Sequence, residues 1–132
     1  MIALDSSALI AILQMEHDAK ELASVLVNAR AKVMSAVTLL ETSLGLARAK
    51  GDESIWDPLD AFIEESQVEI VAFDHEQANL AREVFMRFGK GRHPAGLNFG
   101  DCAAYALAKS RKAPLLFKGN NFAKTDIVPA LR

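Results

Sequence analysis

Three acidic residues that lie far apart in the chain, Asp5, Glu41 and Asp101, are the side chains best suited to do chemistry. Asp5 follows a short apolar segment, Glu41 lies among leucines, and Asp101 begins a nearly all-apolar stretch. A carboxylate in an apolar setting is costly unless it is paired or binds a metal ion. Several oxygen ligands, without paired cysteines or clustered histidines, favour a hard cation such as Mg²⁺ or Mn²⁺. We therefore predict a divalent-metal site that hydrolyses phosphodiesters, with Glu41 as a ligand either directly or through a water molecule.

Further polar residues lie near the predicted site. Asn121 and Asp126 follow the last predicted strand and are therefore expected at the same edge of the sheet. Lys90, Arg92 and His93 occupy a glycine-rich loop just before Asp101. This cluster is either an RNA-phosphate contact or an ordinary solvated loop, and the sequence leaves both interpretations open.

Each acid also has a simpler interpretation. Asp5 could only cap the first helix, Glu41 could face solvent with its neighbouring leucines turned inward, and Asp101 could be a first-turn acid favoured by the helix dipole. Metal binding is favoured because all three acids are expected to converge at one edge of the fold. Cys102, on an apolar helix without a polarising partner, is interpreted as a core residue.

The elements that must bring these acids together alternate between strand and helix. Short apolar segments predict strands, and amphipathic or apolar segments predict the helices between them. Such alternation predicts a parallel α/β sheet covered on both faces. Right-handed crossovers then bring the carboxyl ends of the strands to one edge, where such folds bind ligands. The predicted strands are 2–4, 32–34, 68–73 and 114–117, and the predicted helices are 8–13, 16–29, 35–50 (ending at Gly51), 53–65, 75–88 and 101–112.

Composition narrows the protein class. A chain of 132 residues, half of them hydrophobic, suits one domain with a buried core. The single cysteine excludes an internal disulfide and, with no apolar run long enough to span a bilayer, predicts a cytoplasmic protein that does not cross a membrane. A net charge of −2 gives no general basic field for nucleic acid, although a carboxylate metal site would itself contribute negative charge.

Five segments occur in order along the chain: LDSSAL (4–9), LE (40–41), GKGRH (89–93), GLNFGDC (96–102) and LLFKGN (115–120). Together they resemble the VapC-type toxins of the PIN-domain ribonuclease family over essentially the whole chain. The resemblance implies a three-layer α/β/α sandwich with strand order 3-2-1-4-5, formed as a single PIN domain over residues 1–132. It also implies an Mg²⁺- or Mn²⁺-dependent endoribonuclease acting on tRNA or other structured RNA. A VapB-type antitoxin would inhibit it, and the toxin would be a homodimer.

The resemblance also suggests roles for individual residues. The first three acidic positions of the family match Asp5, Glu41 and Asp101, and its hydroxyl and amide helpers match Ser7, Asn98 and Thr125.

One residue departs from the family pattern: Asn121 stands where a fourth acid is usual. An amide can coordinate through its carbonyl oxygen but brings no charge, so we expect a weaker second metal site, for which Asp126 could partly compensate. The alternative is a catalytically weakened PIN-like module that binds an antitoxin or RNA without efficient cleavage. A phosphatase of the haloacid dehalogenase type is excluded, because Ser7 stands where its second acid would be.

Overall fold

A computed structural model describes residues 1–50 and 52–131, so the predicted helix end at Gly51 lies outside the described residues. The predicted strands and helices are present, with bounds that shift by a few residues. Short 3₁₀ turns occur at Glu53–Ile55 and Phe122–Lys124. The strands are β1 Ile2–Leu4, β2 Lys32–Ser35, β3 Val68–Val71 and β4 Leu115–Leu116; the helices are α1 Ser6–Leu13, α2 Ala19–Asn28, α3 Ala36–Lys50, α4 Trp56–Glu65, α5 His75–Phe88 and α6 Phe99–Arg111.

The four strands form one parallel sheet in the order β3-β2-β1-β4. Ala3 in the central strand β1 pairs with Val33 on one side and with Leu115 on the other. The parallel sheet and the order of its first four strands therefore agree with the prediction. Because all four strands run in the same direction, their carboxyl ends share one edge, where Asp5 follows β1.

The expected fifth strand is not seen among the described residues. The chain beyond β4 returns to the sheet only at an isolated parallel bridge between Leu115 and Pro129. Two hydrogen bonds form there, from the Leu115 N–H to the Val128 carbonyl and from the Ala130 N–H to the Leu115 carbonyl, both at 2.9 Å. Pro129 is tolerated at this bridge because the two bonds use its neighbours Val128 and Ala130, so the N–H that proline lacks is not needed by β4.

The core lies on both faces of the sheet, as the alternation of side chains along a strand requires. Ala3 of β1 packs with α5 and α6, whereas Ile2 and Leu4 pack with α1, α2 and α4. In β4, Leu115 and Leu116 divide between the two faces in the same way. The result is the predicted three-layer α/β/α arrangement. Within the described part of the chain, no helix is long and apolar enough to span a membrane.

Helix α3 connects the two sides of the fold because it contacts both α1 and α6. Its residue Glu41 therefore lies between the first turn of α1, which follows β1, and the first turn of α6. These three helices position the predicted acidic residues.

Candidate active site

Asp5 is positioned by the beginning of α1. Its Oδ2 accepts hydrogen bonds from the backbone N–H of Ser7 at 3.0 Å and from the Ser7 hydroxyl at 2.5 Å. The Ser7 hydroxyl in turn accepts the backbone N–H of Lys118 at 3.0 Å, which links the loop after β4 to the site. Asp5 is only 2% exposed, and within the described structure its Oδ1 is buried without a hydrogen-bond partner. Asp5 thus caps α1, as the simpler interpretation expected, and still has one oxygen available for another ligand.

Glu41 is positioned by contacts from two neighbouring helices. The hydroxyl of Ser6 in α1 donates a hydrogen bond of 2.7 Å to its Oε1. On the other side, the carboxylate lies against Gly100 in α6, so closely that a Cβ built on this glycine would overlap it. Glu41 is half-buried, although its neighbour Leu40 is 59% exposed. The interpretation in which Glu41 faces solvent while the leucines turn inward is therefore wrong.

Asp101 is held by a capping box at the beginning of α6. Its backbone N–H donates to the Asn98 side chain at 2.9 Å, and its Oδ2 accepts the Asn98 backbone N–H at 3.0 Å. This arrangement satisfies two of the free donors of the helix end and fixes the side chain of Asp101. The predicted helper Asn98 is therefore in direct contact with a predicted catalytic acid.

The three carboxylates interact electrostatically. Burial raises the pKa of Asp5 to about 7, the hydrogen bonds from Ser7 oppose this, and the charges of Asp101 and Glu41 raise the pKa further. Burial also raises the pKa of Asp101, where the charge of Glu41 adds to the effect and the Asn98 backbone hydrogen bond opposes it. None of the three acids takes part in an ion pair within residues 1–50 and 52–131. Their negative charge is therefore not neutralised by a protein cation.

This set of residues fits a hard divalent cation. All the candidate donors are oxygens, and Asp5 offers a buried oxygen that has no partner. Among the described residues, no three His, Cys, Asp or Glu side chains are gathered closely enough to hold one ion directly. Mg²⁺ usually keeps several waters and binds only one or two carboxylates directly. A cluster in which one acid coordinates the ion through a water molecule therefore suits it.

Two predicted supporting residues lie in the turn after β4. Asn121 is exposed at the beginning of the 3₁₀ turn Phe122–Lys124, and its side chain does not cap that turn. The Thr125 hydroxyl donates to the Phe122 carbonyl at 2.7 Å and accepts the Ile127 N–H at 3.2 Å. These bonds show that Thr125 closes the turn, whereas the exposed Asn121 side chain makes no capping hydrogen bond to it.

Asp126 lies in a different environment. It accepts hydrogen bonds from Lys109 at 3.3 Å, from Arg87 at 3.5 Å and from the hydroxyl of the buried Tyr105. It is also absent from the groups that shift the pKa values of Asp5 and Asp101. The structure thus pairs Asp126 with two cations on the α5–α6 face.

The predicted phosphate-binding cluster lies in the loop between α5 and α6. Lys90 and Arg92 are exposed, and Arg92 donates through Nε to the Met86 carbonyl at 3.3 Å. The Nδ1 of His93 accepts the Ala95 N–H at 3.0 Å, and its ring packs edge-on against Phe88 at a centroid distance of 5.0 Å. His93 therefore shapes the loop, while Lys90 and Arg92 present charge to solvent near the beginning of α6.

The sequence interpretation missed Ser6 and Gly100. Ser6 was overlooked because Asp5 and Ser7 on either side accounted for the helix cap. Gly100 gave no signal, because it lies just before the predicted helix 101–112 and its approach to Glu41 is a tertiary contact. Cys102 is 4% exposed in the core, and burial, with a smaller effect of Asp101, raises its pKa to about 11, which leaves it as the predicted core residue.

Comparison with known proteins identifies close relatives of this sequence. The family model described as the PIN domain matches residues 2–128. Ribonuclease VapC28 of Mycobacterium tuberculosis is 46% identical over 128 residues, covering 96% of each chain. Ribonuclease VapC of Mycolicibacterium smegmatis is 43% identical over 126 residues, covering 96% of this chain and 97% of its own.

Solved structures share the fold at lower sequence identity. The crystal structure of Mycobacterium tuberculosis VapC20, described as a toxin that cleaves the sarcin-ricin loop, gives a TM-score of 0.77 at 17% identity, covering 97% of both chains. The VapBC2 complex of Rickettsia felis, bound to a DNA fragment from its promoter, gives 0.72 at 19% identity, covering 98% of this chain and 96% of the matched one. At these identities the structural matches support the α/β/α fold alone.

Proposed function

This chain belongs to the PIN-domain family, and from that membership we propose that it is the ribonuclease toxin of a VapBC-type toxin–antitoxin system. The observation that carries the proposal is the convergence of Asp5, Glu41 and Asp101 without a protein cation, with one buried Asp5 oxygen unpartnered. The close relatives named VapC ribonuclease support the same activity. We also propose that residues 1–132 form a single PIN domain that works in the cytoplasm.

Asp5 and Asp101 would hold an Mg²⁺ or Mn²⁺ ion, with Glu41 coordinating directly or through a water and Asn121 or Asp126 as a weaker ligand. Of the two weaker candidates, Asn121 is supported by its exposed side chain, which does not cap the turn, whereas Asp126 is engaged by Arg87 and Lys109. When bound, the ion would lower the pKa of a water molecule and neutralise charge that develops on the phosphate.

Each acid is oriented by its own partner. Ser7 fixes Oδ2 of Asp5 and leaves Oδ1 free, and Asn98 fixes Asp101 through the capping box. Ser6 fixes Glu41 through Oε1. Such supporting hydrogen bonds prevent the carboxylates from turning away from one another, although their charges repel. Thr125 would act indirectly, by closing the turn that carries Asn121.

The substrate proposed is tRNA or another structured RNA. Lys90 and Arg92, in the loop that leads to the beginning of α6, would contact backbone phosphates, with His93 holding the loop in shape. Arg48 adds a cation to the groove of about 400 Å³ that Glu41 lines. These charges would offset the repulsion between the acidic site and the RNA backbone.

The partner proposed is a VapB-type antitoxin. Structures that match this fold include toxin–antitoxin complexes from Rickettsia felis and Salmonella typhimurium. A mainly apolar cavity of about 460 Å³ between α1, α3 and α4 would accept an apolar antitoxin segment. Met15 on its rim is 84% exposed, which leaves apolar surface that such a segment could cover. The lining residues are Leu13, Gln14, Met15, Leu46, Ile55 and Pro58.

We also propose that the toxin is a homodimer. Phe99 is 74% exposed and lines two neighbouring grooves, one with Leu40 and Leu44 and the other with Phe85. Leu40, Leu44 and Phe85 are each at least 39% exposed, so the apolar surface is continuous across α3, α5 and the beginning of α6. Apolar surface of this kind is typical of an interface between copies.

The experiment uses purified, antitoxin-free protein with total tRNA and Mg²⁺ or Mn²⁺. We expect discrete cleavage products that disappear with EDTA and in Asp101→Ala. Asp60→Asn, which changes an exposed acid on α4, is the matched control and should cleave normally. The absence of metal-dependent cleavage on a panel of structured RNAs, from folded protein that still binds Mn²⁺, would support the weakened binding module instead.

A further inference from the structure

The carboxylate of Glu41 occupies the space where a side chain at position 100 would be. A Cβ built on Gly100 would overlap all three atoms of that carboxylate, and even the most distant of them, Oε1, would be only 2.5 Å away. Real Cβ atoms essentially never come within 3.0 Å of such an atom. The Ser6 hydroxyl donates to the same Oε1 at 2.7 Å, so Glu41 is enclosed between α1 and α6.

The backbone does not explain a glycine at this position. Gly100 lies in the first turn of α6 and is not among the residues with positive φ. Glycine is a poor helix former, and alanine would suit an ordinary helical position better. The close approach of Glu41 is therefore the feature of the structure that requires the absence of a side chain.

We propose that Gly100 is a positioning residue for Glu41. Its missing side chain admits the Glu41 carboxylate against the first turn of α6, next to Asp101 on the same turn. In this place Glu41 keeps its hydrogen bond of 2.7 Å from the Ser6 hydroxyl of α1 while its carboxylate lies against α6. This inference rests on the proposed function, because it concerns how one of the proposed catalytic acids is placed.

The clash would fall on the flexible end of a side chain. The three nearest atoms that an alanine Cβ would meet at position 100 are all terminal atoms of the Glu41 side chain. Glu41 can rotate away without disturbing α3 or α6, whereas its contact with the Ser6 hydroxyl would be lost. Gly100→Ala should therefore move one carboxylate and leave the fold intact.

The test compares Gly100→Ala with Gly45→Ala in the full-length protein. Gly45 is also a helical glycine, but a Cβ there would meet only the apolar side chain of Ile10, at 2.9 Å from its terminal carbon. Both variants should melt cooperatively at or above the wild-type temperature. Gly100→Ala should lose RNA cleavage by roughly 10- to 100-fold, mainly in kcat, and should need more Mn²⁺ for half-maximal activity. Gly45→Ala should behave as the wild type in both assays.

A compensating change separates positioning from a general structural effect. Glu41→Asp shortens the side chain by one methylene and should reduce cleavage when Gly100 is present. In the Gly100→Ala background the shorter acid avoids the new Cβ, so the same change should cost much less or restore part of the activity. If the fold-losses of cleavage in Glu41→Asp and Gly100→Ala simply multiply in the double variant, the proposed contact between the two positions is contradicted.

Three outcomes would overturn the inference or its premise. If Gly100→Ala folds and cleaves as the wild type with the same Mn²⁺ dependence, while Glu41→Ala is inactive, Gly100 does not position Glu41 and the proposed function stands. If Gly100→Ala melts far below Gly45→Ala, the clash falls on the backbone and the inference is again wrong. If Glu41→Ala itself cleaves normally, the proposed function fails in its assignment of Glu41.

Discussion

Two acidic sites lie near α6, and their surroundings differ. One is Asp126 alone, and the other is the group of Asp5, Glu41 and Asp101 at the sheet edge. Asp126 accepts hydrogen bonds from Lys109 at 3.3 Å, from Arg87 at 3.5 Å and from the Tyr105 hydroxyl. Burial opposes ionisation of Asp126, but the hydrogen bonds from Tyr105 and Lys109 outweigh it and lower its pKa. At the sheet edge, burial raises the pKa of Asp5, and within the described structure no cation pairs with it.

Neighbouring protein groups account for the negative charge of Asp126 but not for that of Asp5. Asp126 ties α5, α6 and the C-terminal segment together, and the neighbouring cations account for its charge. Asp5 is buried, keeps one oxygen without a partner, and is further disfavoured by the charges of Asp101 and Glu41. Such an arrangement lowers stability unless a cation is added, and perturbed acids of this kind are found preferentially at functional sites. The predictions below test this contrast.

The largest expected effect is the loss of cleavage in Asp5→Asn. Asparagine keeps the shape and the capping ability of aspartate but removes the charge that would hold the cation. Losing the stabilisation of transition-state charge by the metal, worth several kcal/mol, should slow RNA cleavage by about 10³-fold or more. Rates with saturating Mn²⁺ would check this, and the melting temperature without metal should be equal or higher. Normal cleavage by Asp5→Asn would remove the contrast with Asp126.

The next effect is a pH dependence of stability in the metal-free protein. The pKa of Asp5 rises from 3.8 to about 7 on folding, so the folded state binds this proton more tightly than the unfolded state. The contribution of Asp5 to the free energy of unfolding should therefore be highest below about pH 4, fall as the pH rises towards about 7, and then level off. The full difference for this group is about 4 kcal/mol at most.

Urea denaturation in EDTA at about pH 5 and about pH 8 would measure this slope. Asp5→Asn should flatten it, and Mn²⁺ should restore stability at the higher pH because it binds only the folded protein. Asp126 has the opposite sign, since its lowered pKa adds stability that is lost as the pH falls. A metal-free protein that becomes more stable between these two pH values would contradict the assignment of Asp5.

Much of the fold was predictable because local patterns determine it. The all-apolar segment Ile2–Leu4 predicts a strand buried on both faces, and Ala3 and Leu4 do pack in different cores. The apolar stretch Cys102–Ala108 predicts a helix buried on most sides. The fifth strand was expected only from the family resemblance. Within the described residues, only a single bridge between Leu115 and Pro129 is found in its place.

The acidic residues of the site could be predicted from the sequence, whereas most of the contacts that position them could not. Asp5, Glu41 and Asp101 could be selected because carboxylates in apolar segments need an explanation. The contact between Gly100 and Glu41 depends on how α6 packs against α3, which no periodicity encodes. The pairing of Asp126 has the same origin, since Arg87 lies 39 residues earlier in the chain. Sequence spacing therefore suggested a metal-site role for Asp126 that its neighbours do not support.

A smaller effect is expected from restoring an acid in Asn121→Asp. Asn121 is exposed after β4, and an added carboxylate there would strengthen a second metal position. The Mn²⁺ concentration for half-maximal cleavage should fall by roughly tenfold. Asn120→Asp, which adds the same charge at the neighbouring exposed residue, is the control and should change it little. Two ions bound with equal affinity by the wild type, measured by calorimetry, would contradict a weak second site.

The smallest effect is expected from Asp126→Asn, which acts on the paired acid. Its side chain is 45% exposed, so solvent screens both ion pairs, and the amide oxygen can still accept the Tyr105 hydroxyl. The free energy of unfolding should fall by about 1 kcal/mol or less, and the loss should shrink in added salt. Urea denaturation at low and high salt would measure it, while RNA cleavage and its Mn²⁺ dependence should not change. A marked rise in the Mn²⁺ requirement would instead assign Asp126 to the metal site, and the two acidic regions would then share one function.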